Sequence, residues 1–189
     1  MTAFVSSVFL VMIAEMGDKT QLVALAFATR YSARVTLAGV LVATLVVHLF
    51  SVAIGELLGL ALPTHWIQLG AGVAFIGFAL WTIRGDSFDD GEVERGRFGP
   101  FLTVAVAFFM AELGDKTMLT TVTLASQYQE FVPVWIGSTI GMTIADGIAV
   151  VVGVVAGKRL PQRAIKLASA GIFLIFGIWA MGTALATWV

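Results

Sequence analysis

Two short segments of this 189-residue chain gather side chains that can do chemistry: Glu15-Met16-Gly17-Asp18-Lys19-Thr20 and Glu112-Leu113-Gly114-Asp115-Lys116-Thr117. Each supplies two carboxylates, one ammonium group and one hydroxyl. Brought together, the acids Glu15, Asp18, Glu112 and Asp115 and the two lysines carry a summed charge of -2. One divalent cation would neutralise that sum, and carboxylate oxygens are hard ligands suited to Mg²⁺, Ca²⁺ or Mn²⁺. Zn²⁺, Cu⁺ and iron–sulfur cargo fit poorly, because the chain has no cysteine and neither segment holds a histidine. The lack of cysteine also excludes disulfides and thiol redox switching.

On a continuous α-helix each residue advances by about 100°, so Glu15 and Asp18 would stand about 60° apart and Lys19 about 40° from Glu15. The sequence therefore predicts one charged face per segment, the second built from Glu112, Asp115 and Lys116. Gly17 and Gly114 would let each helix loosen, so that backbone carbonyls face an ion and the opposite helix approaches closely. Thr20 and Thr117 would add hydroxyl oxygens or satisfy backbone groups freed by that loosening. Lys19 and Lys116 read as counter-charges that occupy the carboxylates in place of a cation. Acids crowded in this way can also carry protons back, a chemical basis for cation/proton exchange. A purely structural account has each segment neutralise itself through an i,i+4 Glu–Lys pair. It leaves Asp18 and Asp115 as extra acids at a depth where an ion costs at least about 2.5–3.5 kcal/mol.

The elements that must position these residues are membrane helices. Apolar residues make up 59% of the chain and charged residues 12%, with a mean hydropathy of +0.96, so lipid is the solvent it suits. Six stretches reach the length of about 20 residues that a span needs: 4–29, 35–60, 66–83, 100–126, 132–157 and 164–188. Almost nothing is left over for a soluble catalytic or nucleic-acid-binding domain. Met1 to Ala14 is uncharged and runs straight into the first motif, so the first helix is expected to be retained rather than cleaved as a signal peptide. Outside the motifs the basic residues are Arg30, Arg34, Arg84, Arg95, Arg97, Lys158, Arg159, Arg163 and Lys166, all in or beside the first, third and fifth loops. The positive-inside rule then puts those loops in the cytoplasm and both termini outside. Trp66, Trp81, Trp135 and Trp188 fall at helix ends, as an interfacial belt requires, and Trp179 does not.

The second half repeats the first. An offset of 97 aligns the two motifs, and after one inserted residue an offset of 98 aligns Gly39 with Gly137, Gly55 with Gly153, Gly59 with Gly157, Leu62 with Leu160, Pro63 with Pro161 and Trp81 with Trp179. The expected organisation is a first three-helix repeat over 1–84, a cytoplasmic loop over 85–99 and a second three-helix repeat over 100–189. An odd number of helices per repeat inverts the second, the plan of secondary transporters with a site near the midplane. The fold class is thus an all-α membrane protein of six helices.

Other residues carry weaker signals. Asp146 in the fifth span and its repeat-equivalent His48 in the second read either as polar groups satisfied by neighbours or as relay partners of the site. Gln21 and Met118 follow the two motifs at equivalent positions and would line the site differently on its two sides. The Met118 sulfur could favour Mn²⁺ over Ca²⁺, although Met12, Met16, Met110 and Met118 equally suit core packing. Glu56, Glu130 and His65 lie near outer ends and read as solvated. The run Asp86, Asp89, Asp90, Glu92 and Glu94 reads as a solvated loop face. Gly55-x-x-x-Gly59 and Gly153-x-x-x-Gly157 suit helix contacts within the chain or between chains, leaving room for a homo-oligomer.

Two copies of Glu-x-Gly-Asp-[Lys/Arg]-[Ser/Thr] on the first and fourth of six helices resemble the family of small membrane cation transporters that takes in the MneA-type manganese exporters of bacteria and the Golgi GDT proteins. The resemblance covers essentially the full length, and both motifs match at every fixed position. It implies export of Mn²⁺ from the cytoplasm, as in bacterial members, or exchange of Ca²⁺ or Mn²⁺ for H⁺, as in eukaryotic ones. It carries the functional acids onto Glu15, Asp18, Glu112 and Asp115, while His48 and Asp146 have no support from it. The short central loop resembles the bacterial form, which implies a multi-pass protein of the inner (plasma) membrane.

The expectation is a carrier that needs no cofactor and moves one divalent cation by alternating access, with a Ca²⁺/H⁺ antiporter as the near alternative. An intramembrane carboxylate hydrolase is the remote one, disfavoured by lysines that would hold the acids ionised. A channel is disfavoured by two-fold rather than ring symmetry.

Overall fold

Turn-forming residues divide this apolar chain into segments, and every described segment is helical. The computed structural model describes residues 1–84, 99–156 and 162–186, and within them it contains eight α-helices. These are α1 (Thr2–Glu15), α2 (Lys19–Arg30), α3 (Ala33–Ala61), α4 (Thr64–Arg84), α5 (Pro100–Glu112), α6 (Lys116–Tyr128), α7 (Phe131–Ala156) and α8 (Gln162–Ala186). Local chemistry sets the boundaries. The Ser32 hydroxyl accepts the Val35 N–H at 3.3 Å and starts α3. Leu62, held extended before Pro63, stops it. Pro100 opens α5, where its missing N–H costs nothing.

The stretches 4–29 and 100–126, expected as single helices, are each broken in two. The reason lies in the motifs. Met16 (φ -62°, ψ 122°) followed by Gly17 (φ 76°) forms a type II β-turn closed by the Asp18 N–H donating to the Glu15 carbonyl at 3.1 Å. Leu113 (φ -65°, ψ 114°) and Gly114 (φ 79°) repeat it, with the Asp115 N–H on the Glu112 carbonyl at 3.3 Å. A β-carbon is disfavoured at the third place of such a turn, which accounts for glycine there. Asp18 and Asp115 then take the extended conformation of N-cap residues and start α2 and α6.

α4 packs on α8, α1 on α7, and α3 on α5, α6 and α7, while α2 packs on α7 and α3. Phe75 and Phe78 of α4 meet Phe173 of α8 in one apolar core, and Val23, Phe27, Val40, Val104 and Phe108 form a second. Small residues bring backbones together. A β-carbon on Gly39 would collide with Val104, and one on Gly137 with the Phe4 carbonyl and Ser7. Gly55 and Gly59 are pressed against the α6 carbonyls of Val122 and Ser126, so the first Gly-x-x-x-Gly serves a contact within the chain. In the second, the Gly153 contacts and all of Gly157 lie outside what is described.

Ala33–Ala61, Thr64–Arg84 and Phe131–Val152 are long and apolar enough to cross a membrane, and Thr2–Glu15, Pro100–Glu112 and Ala170–Ala186 are shorter apolar helices. Leu57, Leu60, Leu80, Val151 and Ile175 point outward, a surface suited to lipid. Trp66 is exposed at the start of α4, whereas half-buried Trp135 donates its indole N–H to the Leu45 carbonyl at 2.9 Å, locking α7 to α3. Trp188, Leu160, Pro161, Lys158, Arg159, Arg95, Arg97 and the acidic run Asp86 to Glu94 lie outside the described residues.

Candidate functional site

The two turns bring their acids into the interior. Glu15, Asp18, Glu112, Asp115, Lys116, Thr20 and Thr117 are all buried. Because each helix breaks between its Glu and its Asp, the pair does not share a helical face as a continuous helix would require. Glu15 closes α1 while Asp18 opens α2, and Glu112 and Asp115 bear the same relation to α5 and α6.

The segments interlock across the interface. Lys116 Nζ stands 3.0 Å from Asp18 Oδ1, an ion pair between the second motif and the first. The Thr117 hydroxyl donates to Glu15 Oε2 at 3.1 Å, and Thr20 donates to the other oxygen, Glu15 Oε1. Both threonines thus serve a carboxylate rather than the freed backbone. Asp115 Oδ1 accepts the Lys116 N–H at 2.7 Å, pinning the start of α6. Neither oxygen of Glu112 has a hydrogen-bond partner among the described residues, so the self-neutralising Glu112–Lys116 pair of the structural account does not form. The backbone of Lys19 starts α2, and its side chain lies outside what is described.

Gln21 and Met118 do the same work with different atoms. The Gly17 N–H donates to Gln21 Oε1 at 2.9 Å, and the Gly114 N–H to Met118 Sδ at 3.2 Å. Gln21 also donates to the Ala145 carbonyl at 3.3 Å, fastening the first turn to α7. The second turn is more open, with Leu113 and Gly114 exposed. Met110 is exposed as well, against its reading as core. Asp146 and His48 are buried, and none of their side-chain polar atoms has a hydrogen-bond partner among the described residues. Glu130 is exposed, as a solvated residue should be, whereas Glu56 and His65 are half-buried.

Sequence reasoning missed the turn and the pairing across the interface. The turn left a readable trace, glycine at its third place and an N-cap aspartate directly after. The pairing left none. Among the described residues no three acids or histidines converge closely enough to hold a metal ion together. For the four acids to share one cation they would have to move closer together, and Lys116 would have to leave Asp18.

Buried carboxylates at paired helix breaks, inside an all-helical bundle with a lipid-suited surface, are what passage of a cation through a membrane would use. The comparisons give the family. The sequence profile of the family described as "Divalent cation/proton antiporter GDT1" matches residues 3–90 and 100–188, and the chain belongs to that family. It is 34% identical over 180 residues to a Vibrio cholerae protein named "Putative manganese exporter", covering 94% of this chain and 90% of that one. It is 28% identical to a GDT1-like protein of Synechocystis sp. (98% and 100% covered) and 28% identical to GDT1-like protein 5 of Arabidopsis thaliana (95% and 95% covered). No solved structure matches the chain.

Proposed function

We propose that this protein exports Mn²⁺ from the cytoplasm across the inner membrane by alternating access, in exchange for protons, through a site that Glu15, Asp18, Glu112 and Asp115 share. The observation that carries the reading is the ion pair of Lys116 with Asp18. A lysine of one motif occupies an acid of the other, so cation binding and lysine release are linked events, as exchange demands. Gly17, Gly114, Thr20 and Thr117 hold the acids in place, and Lys19 is the expected counterpart of Lys116. The manganese assignment draws on the name of the Vibrio relative. The oxygen-rich donor set suits Ca²⁺ as well, so Ca²⁺/H⁺ exchange is the second reading.

The site works within six spans arranged as two inverted repeats with both termini outside. Contacts between repeat-equivalent residues support this: at the offset of 98, Phe75 corresponds to Phe173, and their rings stack with centroids 6.1 Å apart. Thr44 corresponds to Met142, and its hydroxyl meets that sulfur at 3.4 Å. The approach of Gly39 to Val104 is mirrored by that of Gly137 to Ser7. Equivalent residues touching each other and contacts occurring in exchanged pairs are the signature of a two-fold axis. α1 and α2 are about 21 and 18 Å long, so each pair spans a bilayer core of about 30 Å only together, which leaves the turn near its middle.

The test is uptake of Mn²⁺ and of Ca²⁺ into proteoliposomes with and without a pH gradient, for the native protein and for Asp18→Asn and Asp115→Asn. Mn²⁺ flux driven by the gradient and lost in both variants supports the reading. Comparable Ca²⁺ flux favours the second one, and normal flux in both variants overturns the assigned site.

A further inference from the structure

Asp146 lies in the middle of α7, fully buried, and neither carboxylate oxygen has a hydrogen-bond partner among the described residues. Its helix packs against both α1 and α2, the helices that flank the first turn. The residue before it is tied to that turn: the Ala145 carbonyl accepts from Gln21, whose own oxygen accepts the Gly17 N–H. Asp146 accordingly comes within electrostatic reach of Glu15, Asp18 and Glu112. Its repeat-equivalent, His48, is held on α3 against α5 and α6, the helices of the second motif. The acid at this place therefore belongs to the first-motif side alone.

Packing does not explain it. An apolar side chain of similar size would fill the same space without the cost of burying an unpartnered carboxylate, and ionisable groups at such depth persist where a transported ion compensates them. We propose that Asp146 is a fifth carboxylate of the transport site, giving an oxygen to the divalent cation beside Glu15 and Asp18. The assignment rests on the transport reading above. It makes the site lopsided, with three acids on the first-motif side and two on the other. The Thr117 hydroxyl on Glu15 supplies a further oxygen where the two sides meet.

The experiment titrates Mn²⁺ into the purified full-length protein by calorimetry and measures Mn²⁺ flux kinetics in proteoliposomes, for the native protein, Asp146→Asn and Asp146→Glu. Asp146→Asn keeps size and polarity, and it should raise Kd and KM together by at least about tenfold, the low end of what losing even an outer partner of a metal ligand costs. Asp146→Glu restores the carboxylate and should recover most of that loss. Unchanged Kd and KM in Asp146→Asn would overturn the assignment, as would equal impairment of the two variants. Should Asp146→Asn fail to fold, Asp146→Ser takes its place: Kd and KM raised together in a folded protein support the assignment, and native values overturn it. If the native protein binds neither Mn²⁺ nor Ca²⁺, the transport reading falls and this assignment falls with it.

Discussion

In the proposed exchange, Lys116 is the residue on which binding and release turn. It holds Asp18 at 3.0 Å and so competes with any cation for that carboxylate. Replacing it with methionine keeps the length and removes the competitor. Lys116→Met should therefore bind cation more tightly and release it more slowly, read in flux kinetics as a lower KM together with a lower maximal rate. Gly114 allows a cleaner conformational test. A β-carbon there meets nothing within 4 Å, so any penalty comes from its φ of 79°. Gly114→Ala should cost about 1–2 kcal/mol, measured by thermal unfolding in detergent. Gly114→Asn should cost less, since asparagine tolerates that region.

Among the helices, the contact of α3 with α6 is open to disruption by a single change. Gly55 lies against the Val122 carbonyl and Ala125, and Gly55→Leu should lose on the order of 1–3 kcal/mol or more through overpacking. Gly70, with open space around it, is the control. Gly70→Ala should be neutral or stabilise by up to about 1 kcal/mol through helix propensity. The positions of the helices were readable because charges and turn-formers stand out in apolar runs, as Pro63 and Pro100 do. The breaks at Gly17 and Gly114 left only the glycine-aspartate trace, because apolar runs resume beyond each motif and a glycine in a membrane helix equally signals close packing. The acids were legible as a pair of motifs. Which lysine meets which acid depends on how the two halves dock, and no local pattern encodes that.

For the whole molecule, the proposed inverted arrangement makes a prediction that the absence of cysteine makes simple to test. Single cysteines at Ser32, between α2 and α3, and at Glu130, between α6 and α7, should be labelled from opposite sides of the membrane by an impermeant maleimide, Glu130 from outside. Labelling of both from one side would overturn the inversion. The crossed bonds also bear on how the protein is made. As the chain emerges from the ribosome, α1 and α2 enter the bilayer before Lys116 and Thr117 have been synthesised, so the bonds of these two residues to Asp18 and Glu15 form only with the second half. An isolated first half should therefore be a short-lived product in the cell. Co-expression of the second half as a separate chain should rescue it, making each half in effect the chaperone of the other.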